Sequence, residues 1–233
     1  MLNGKKVGVV IPAAGSGTRM KGKRPKQFLT IRGKTILLRT LECFQRAGVV
    51  DCIIVVVKKN DIGFVQRMIR PRQLDKICGI VPGGRERQDS VWNGLQKLQR
   101  YNIDIVLVHD AVRPFISPGI IRSVTKVAGK RGAAIPAVHP KDTIKIADKK
   151  HIVKTTLARE GLWSVHTPQA FTIELLNRAF KKARKEKFYG TDEASIVEHY
   201  GAPVAIVGSS YDNIKITTAE DLEFARLMAK RLR

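Results

Sequence analysis

The sequence Val7-Gly8-Val9-Val10-Ile11 runs directly into Pro12-Ala13-Ala14-Gly15-Ser16-Gly17. Its first half is a short apolar run without polar alternation, which is typical of a strand buried on both faces of a parallel sheet. Similar runs, rich in β-branched residues, recur along the chain at Cys52–Val57, Ile77–Val81, Ile103–Val108, Ala133–Val138 and Pro203–Val207. The sequence therefore predicts at least six largely buried strands.

Helical patterns lie between these runs. Thr35 to Ala47 carries apolar residues on one face and is followed by Gly48, a candidate C-cap. Further helices are predicted over Ser90–Leu98, from Ser117 and Pro118 to about Lys130, and from Thr218 onward. Because strands and helices alternate, we expect an α/β fold: a three-layer α/β/α sandwich with a mostly parallel, Rossmann-like sheet.

The segment 141–159 interrupts this alternation. Thr143–Ile146 and Ile152–Thr156 alternate in the strand manner around the polar turn Asp148-Lys149-Lys150, which predicts a β-hairpin that projects from the sheet. The pattern fits a dimerisation arm and an ordinary edge hairpin equally well. Internal repeats and low-complexity linkers are absent from the sequence, so residues 1–233 are expected to form one domain that includes the arm.

The composition is strongly basic. The 233 residues include 43 Lys and Arg but only 20 Asp and Glu, so the formal net charge is +23. This charge predicts polyanionic partners such as nucleic acid, anionic membrane or phosphorylated small molecules. No apolar stretch approaches the roughly 18 residues of a membrane span, and the first residues lack a signal-peptide pattern, so a cytoplasmic protein without membrane contact is expected. Cys43, Cys52 and Cys78 form no CxxC pair and the histidines are scattered, so no protein metal site is expected.

The loop after the first strand extends to Gln27 and has the properties of a phosphate-binding loop. Its small residues let main-chain N–H groups approach phosphate oxygens, and it lies where open α/β sheets bind ligands. A dinucleotide GxGxxG motif fails at Met20, and a P-loop fails because Arg24 replaces the Ser or Thr that would hold magnesium. A phosphate loop of another kind remains, with cations at Arg19, Lys21, Lys23, Arg24 and Lys26.

This loop resembles the nucleotide-binding signature of cytidylyltransferases, in particular the 2-C-methyl-D-erythritol 4-phosphate cytidylyltransferase family of the non-mevalonate isoprenoid pathway. The resemblance continues, in family order and over nearly the whole chain, through Gly83–Val91, Val108–Pro114, Lys141–Thr143, Thr167–Gln169, Thr191–Ser195 and Asp212–Lys215. It implies a nucleotide-diphospho-sugar transferase type of fold. The implied reaction joins CTP and methylerythritol phosphate into 4-diphosphocytidyl-2-C-methyl-D-erythritol and releases pyrophosphate.

The resemblance also implies roles for individual residues. The catalytic cations would be Arg19, Lys26, Arg159 and Lys215. The residues that bind CTP would be Pro12, Ala13, Ala14, Gly15, Gly17, Gly83, Gly84 and Ser90. The residues that bind the substrate polyol would be Asp110, Arg113, Thr143, Arg159 and Thr167. Thr143 and Arg159 would be delivered by the arm of a neighbouring subunit, which implies a homodimer.

Two further expectations follow from the family. Its members commonly carry an acidic residue at the position of Arg85, so cytosine recognition here is expected to rely on main-chain groups. Mg²⁺ is expected to be carried on the CTP phosphates rather than in a protein cage.

Two alternatives remain at this stage. A ribitol 5-phosphate cytidylyltransferase would share the fold and the loop and differ in the polyol pocket. A basic RNA-binding protein would account for the charge, but only 6% of the residues are aromatic and no base-stacking motif is present. Specific nucleic-acid binding is therefore not expected.

Overall fold

The computed structural model describes Leu2, residues 4–15 and residues 25–231. The strands are β1 (Val7–Pro12), β2 (Thr30–Ile31), β3 (Lys34–Thr35), β4 (Cys52–Val57), β5 (Ile77–Pro82), β6 (Ile105–Val108), β7 (Ala133–Val138), β8 (Lys145–Ala147), β9 (Val153–Thr156), β10 (Ser164–Val165), β11 (Gln169–Thr172) and β12 (Ala205–Gly208). The helices are α1 (Ile36–Arg46), α2 (Ile62–Ile69), α3 (Arg87–Leu98), α4 (Pro118–Arg131), α5 (Ile173–Lys185), α6 (Glu193–Tyr200) and α7 (Ala219–Arg231).

Eight strands form one central sheet. Its order is β5-β4-β1-β6-β11-β7-β12, and β10 pairs with the carboxyl end of β7. The pairs β5–β4, β4–β1, β1–β6 and β7–β12 are parallel, whereas β11 runs antiparallel to both β6 and β7. The predicted mostly parallel sheet is confirmed, and β1 lies inside it with neighbours on both sides.

The two faces of the sheet bury separate cores, because successive side chains of a strand point to opposite faces. Val9 and Ile11 of β1 pack with apolar residues of α1, α2 and α4, whereas Val10 packs with those of α3, α5 and α6. All six residues of β4 are buried. A sheet covered by helices on both faces confirms the predicted three-layer sandwich.

The predicted strands and helices are all present, with differences at their ends. Helix α1 ends at Arg46 with Ala47 as its C-cap in an extended conformation, so the prediction of Gly48 as the cap was wrong. Helix α3 begins at Arg87, three residues earlier than predicted, and the N–H of Glu86 before it donates to the Asp89 carboxylate at 3.2 Å. Sequence reasoning missed β11, which is only four residues long and not rich in β-branched residues.

The segment 141–159 contains a separate two-stranded antiparallel sheet, β8 with β9. Every residue of these two strands is exposed. The predicted hairpin is thus present and stands apart from the central sheet. In the described part of the chain, no helix is both long and apolar enough to span a bilayer.

Candidate functional site

A cavity of about 330 Å³ lies at the carboxyl ends of β1, β5 and β6. Its walls come from the loops that follow these strands, from the first turn of α3 and from the segment before α7. The lining residues are Pro12, Ala13, Ala14, Gly15, Lys26, Gln27, Gly84, Arg85, Glu86, Arg87, Ser90, Asp110, Ala111, Val112 and Lys215. This is the sheet edge at which α/β folds bind their ligands.

The main chain after β1 is fixed from two sides. The N–H of Ala13 donates to Val56 O at 2.6 Å, which ties the start of the loop to β4. The buried amide of Gln27 donates to Ala13 O at 2.7 Å and to Gly15 O at 3.2 Å. Sequence reasoning assigned no role to Gln27, although it lies in the basic loop. Its two bonds hold carbonyls on the loop and so help to fix the loop's path beside the cavity.

The second small-residue segment follows β5. The N–H of Gly83 donates to Val57 O at 2.8 Å, and the N–H of Gly84 donates to the hydroxyl of Ser90 at 3.1 Å. A Cβ at Gly83 would collide with the methyl group of Ala14. The two glycine-containing segments are therefore in direct contact, and glycine is required at this contact because a side chain would push them apart.

Asp110 lies directly after β6 and is surrounded by three cations. Its carboxylate oxygens lie 2.8 Å from Lys215 Nζ, 3.4 Å from Arg87 Nη2 and 3.6 Å from Arg113 Nε. Burial alone would raise the pKa of Asp110, but Arg87, Lys215 and Arg113 outweigh burial and hold this pKa well below its usual range. Asp110 is therefore a charged carboxylate at neutral pH.

Arg87 links the cavity to a fully buried carboxylate on α6. Its two terminal nitrogens lie 2.7 and 3.1 Å from the two oxygens of Glu193, which is completely buried. Burial opposes the charge of Arg87, but Glu193 and Asp110 outweigh it and raise the pKa of Arg87. Sequence reasoning gave neither residue a role. The available signal was that each belongs to one of the blocks that carry the family resemblance.

The predicted polyol residues fall into two groups. Arg113 and Thr167 are buried beside Asp110, and neither is among the residues that line the cavity. Thr143 and Arg159 lie on the exposed segment 141–159, where Arg159 Nη2 donates to Thr143 Oγ1 at 2.7 Å. The structure thus brings Thr143 and Arg159 together and keeps them out of this chain's cavity.

The predicted phosphate-loop residues are only partly described. Lys26 lines the cavity at the start of a short 3₁₀ turn, Lys26–Phe28, and Pro12 to Gly15 line it as well. Arg19 and Gly17 lie outside the described residues.

A metal site held by the protein would need several ligating side chains close together. Among residues 4–15 and 25–231, no group of three or more His, Cys, Asp or Glu is placed to hold a metal ion. The lining includes two carboxylates, Glu86 and Asp110, and Asp110 already contacts three cations. Cys43, Cys52 and Cys78 are free thiols.

Comparison with known proteins gives a consistent result. The family model of IspD, 2-C-methyl-D-erythritol 4-phosphate cytidylyltransferase, matches residues 7–231. The chain is 45% identical over 227 residues to the 2-C-methyl-D-erythritol 4-phosphate cytidylyltransferase of Syntrophus aciditrophicus, with 97% of each chain covered. Among solved structures, it resembles 4-diphosphocytidyl-2C-methyl-D-erythritol synthase from Anaerococcus prevotii, with 31% identity, a TM-score of 0.86 and 98% of each chain covered. It also resembles 2-C-methyl-D-erythritol 4-phosphate cytidylyltransferase from Francisella tularensis, with 36% identity, a TM-score of 0.80 and 96% of this chain and 99% of that one covered.

Proposed function

The chain belongs to the 2-C-methyl-D-erythritol 4-phosphate cytidylyltransferase family, and we propose that the cavity at the carboxyl ends of β1, β5 and β6 is its active site. The enzyme transfers the cytidylyl group of CTP to methylerythritol phosphate and releases pyrophosphate, in the non-mevalonate route to isoprenoid precursors. The observation that carries the assignment of the site is that two small-residue main-chain segments converge there with Lys26, Lys215 and Asp110.

CTP lies along the two main-chain segments. The side chains of Pro12 to Gly15 are small, so the triphosphate can approach the main chain there. The second segment lies opposite, with Gly83 and Gly84 after β5 and Ser90 on α3. Cytosine sits near the second segment, where main-chain groups read its edge. Arg85 lines the cavity wall, and its guanidinium has no acceptor for the amino group of cytosine, which favours recognition of the base by the main chain.

Transfer of the cytidylyl group requires positioning and positive charge. A phosphate oxygen of methylerythritol phosphate forms a bond to the α-phosphorus of CTP, and the bond from that phosphorus to the bridging oxygen breaks. The bonding electron pair leaves with pyrophosphate. Negative charge grows on the α-phosphate oxygens and on the leaving group, where fixed cations stabilise it. Lys26 and Lys215, together with Arg19, supply these cations.

The polyol end of the substrate binds beside Asp110. A charged carboxylate accepts hydrogen bonds from hydroxyl groups, and Arg113 next to it adds a donor. Lys215 leaves the Asp110 carboxylate for the substrate phosphates, and the polyol hydroxyls take its place. Thr167 borders the same subsite from behind Asp110.

The active site is completed by a second copy of the chain. The hairpin of segment 141–159 exposes apolar side chains that a folded monomer would leave in water: Ile144 is 38%, Ile146 46%, Ile152 63% and Val153 56% exposed. Thr143 and Arg159 are paired on the same segment, away from their own cavity. A homodimer in which each hairpin packs on its partner would cover the apolar groups and deliver Thr143 and Arg159 to the partner's polyol subsite.

Mg²⁺ would be carried on the CTP phosphates. When bound there, a divalent cation would supply positive charge that neutralises the phosphate oxygens. Because the described residues offer no cluster of metal ligands, the protein's own part is to bind the phosphates through Lys26, Lys215 and the two main-chain segments.

Pyrophosphate release tests the proposal. Each of the four nucleoside triphosphates is offered with Mg²⁺ together with methylerythritol phosphate or ribitol 5-phosphate, and a parallel series contains a chelator. We expect release with CTP and methylerythritol phosphate alone, and its loss on chelation. Release with ribitol 5-phosphate instead would show that the protein is a ribitol 5-phosphate cytidylyltransferase. Normal activity of the K26A and K215A variants would show that the chemistry takes place elsewhere.

A further inference from the structure

His109 occupies a fully buried position between the last residue of β6 and Asp110. Its Nε2 lies 3.0 Å from the main-chain oxygen of Arg113, and its Nδ1 lies 3.1 Å from the hydroxyl oxygen of Thr167. The same hydroxyl oxygen accepts the main-chain N–H of Asp110 at 3.0 Å. The imidazole thus bonds directly to Arg113 at one end of the turn, and through the Thr167 hydroxyl to Asp110 at the other end.

These contacts determine where the protons lie. A carbonyl oxygen only accepts, so Nε2 carries the proton and donates it to the Arg113 carbonyl. In the neutral ring Nδ1 is then an acceptor, and the Thr167 hydroxyl donates to it. One lone pair of that hydroxyl receives the N–H of Asp110. With Nε2 donating to the Arg113 carbonyl, each bond from Arg113 through His109 and the Thr167 hydroxyl to Asp110 has a defined direction.

The same network continues to the segment that carries Lys215. Arg113 Nη1 donates to Asn213 O at 2.5 Å, and the side-chain amide of the fully buried Asn213 donates to Thr167 O at 2.8 Å. The hydrogen bonds therefore close a ring that joins three chain segments. Asn213 is two residues from Lys215, so the ring also fixes the segment that presents this lysine.

We propose that His109 is a positioning residue which, as the neutral Nε2–H tautomer, holds the Asp110–Arg113 turn in the geometry that binds the polyol of the substrate. The inference rests on the proposed function, since it assigns this turn to the polyol subsite. The imidazole packs edge-on against Phe44, with 4.8 Å between the ring centroids. Burial lowers the pKa of His109 to about 4, which keeps the imidazole neutral at the pH of the cell.

The two nitrogens of His109 can be tested separately. His109→Gln places an amide near Nε2 and preserves a donor to Arg113 O, but it loses the acceptor for Thr167. His109→Asn places an oxygen near Nδ1 and preserves that acceptor, but it loses the donor to Arg113. Thr167→Val removes the hydroxyl, and Thr167→Ser restores it as a matched control.

We expect H109Q, H109N and T167V to raise the KM for methylerythritol phosphate about tenfold, the scale of one buried hydrogen bond, with the KM for CTP changed less than twofold. T167S, which keeps the hydroxyl, should have a lower KM for methylerythritol phosphate than T167V. A merely structural role predicts lower melting temperatures with both KM values unchanged or raised equally, and that result would overturn the proposal.

Nitrogen-15 NMR of the histidine side chains gives a readout that needs no turnover. At pH 7 the resonances of His109, assigned by their loss in H109N, should report a protonated Nε2 and an unprotonated Nδ1. A protonated Nδ1 would overturn the inference. Absence of turnover by the wild type would instead overturn the proposed function, so the two failures are distinguishable.

Discussion

Lys215 Nζ lies 2.8 Å from a carboxylate oxygen of Asp110, in the same cavity as the two main-chain segments proposed to bind CTP. The lysine side chain is 39% exposed and the aspartate side chain 10% exposed, so the lysine is the partner that can turn toward an incoming phosphate. In this ion pair, the cation proposed to bind the substrate phosphates and the anion proposed to bind the polyol neutralise each other before substrates arrive. Substrate binding must therefore exchange one set of charged hydrogen bonds for another.

Asp110→Asn tests the anionic half of this pair. The amide keeps the size of the side chain but removes the charge that three cations surround. Because charge-assisted hydrogen bonds contribute about 1.5 to 3 kcal/mol, kcat/KM for methylerythritol phosphate should fall tenfold to a hundredfold, measured by pyrophosphate release. Asp75→Asn, an exposed aspartate before β5 at the opposite sheet edge, is the control. Equal kinetics of the D110N and D75N variants would contradict the assignment.

Lys26→Ala tests the cation proposed to stabilise the transition state. Turnover should fall on the order of a hundredfold or more, as expected when one charge-stabilising donor is lost from a reaction of this kind. The binding of CTP in the absence of the second substrate should change much less, because the charge grows only as the α-phosphorus is attacked. Lys126→Ala, on the exposed surface of α4, removes a cation without approaching the cavity. A near-normal turnover of K26A would remove Lys26 from the mechanism.

The sequence predicted the sheet and the small-residue segment that follows β1 because both depend on local patterns. An apolar run such as that of β4 predicts a strand buried on both faces of a sheet. Small residues such as those after β1 predict a segment whose main chain a ligand can approach closely. The pairing of Arg87 with Glu193 was not predictable in this way. Each is a charged residue that a local pattern would place on the surface, and only the folded chain brings them together.

His109 shows the same limit. In the sequence it is one of five scattered histidines, and its role depends on Thr167 and Arg113, which reach it from a different segment and from a turn. A pattern in one segment cannot report a hydrogen-bonded ring that closes across three. The short antiparallel β11, which leads from Thr167 back into the sheet, was missed for the related reason that four residues carry too little periodicity.

Gly83→Ala tests the contact between the two main-chain segments. The added methyl group would collide with Ala14 and lie 2.9 Å from Ser90 Oγ, so the loops must separate. We expect the KM for CTP to rise at least tenfold, while the fold tolerates the change because both segments border the cavity. Gly48→Ala has open space around its Cβ and serves as the control. If the KM for CTP stays within twofold of the wild type, the segments do not form the nucleotide site.

Substitutions in the hairpin test the shared active site. The double variant I146D/I152D puts two charges on the exposed apolar face of segment 141–159. Sedimentation should change from dimer to monomer, and activity at low protein concentration should fall at least tenfold. Phe224→Asp, on an equally exposed apolar residue of α7, is the matched control and should remain dimeric. A monomeric wild type with full activity would exclude the shared site.

The dependence of the free energy of unfolding on pH, below pH 7, tests whether His109 is neutral in the folded protein. Burial lowers its pKa in the folded protein to about 4, against about 6.5 in the unfolded chain, and Asp110 and Arg113 are the charged groups next to it. Between pH 6.5 and pH 4, His109 is therefore protonated in the unfolded chain but neutral in the folded protein. Stability contributed by the neutral ring is complete above pH 6.5 and is lost as the pH falls from 6.5 toward 4.

Urea unfolding of the wild type and of His109→Asn at pH 7.5 and pH 4.5 isolates this contribution. Other groups, such as Glu193, titrate in both proteins and cancel in the difference. The wild type should lose about 2 to 3 kcal/mol more than H109N between the two pH values. His151→Asn, at the exposed turn of the hairpin, should follow the wild type, since asparagine tolerates the positive φ of that position. Parallel pH profiles of the wild type and H109N would mean that His109 takes up a proton as readily in the folded protein as in the unfolded chain, and the acceptor role of Nδ1 toward Thr167 would then fail.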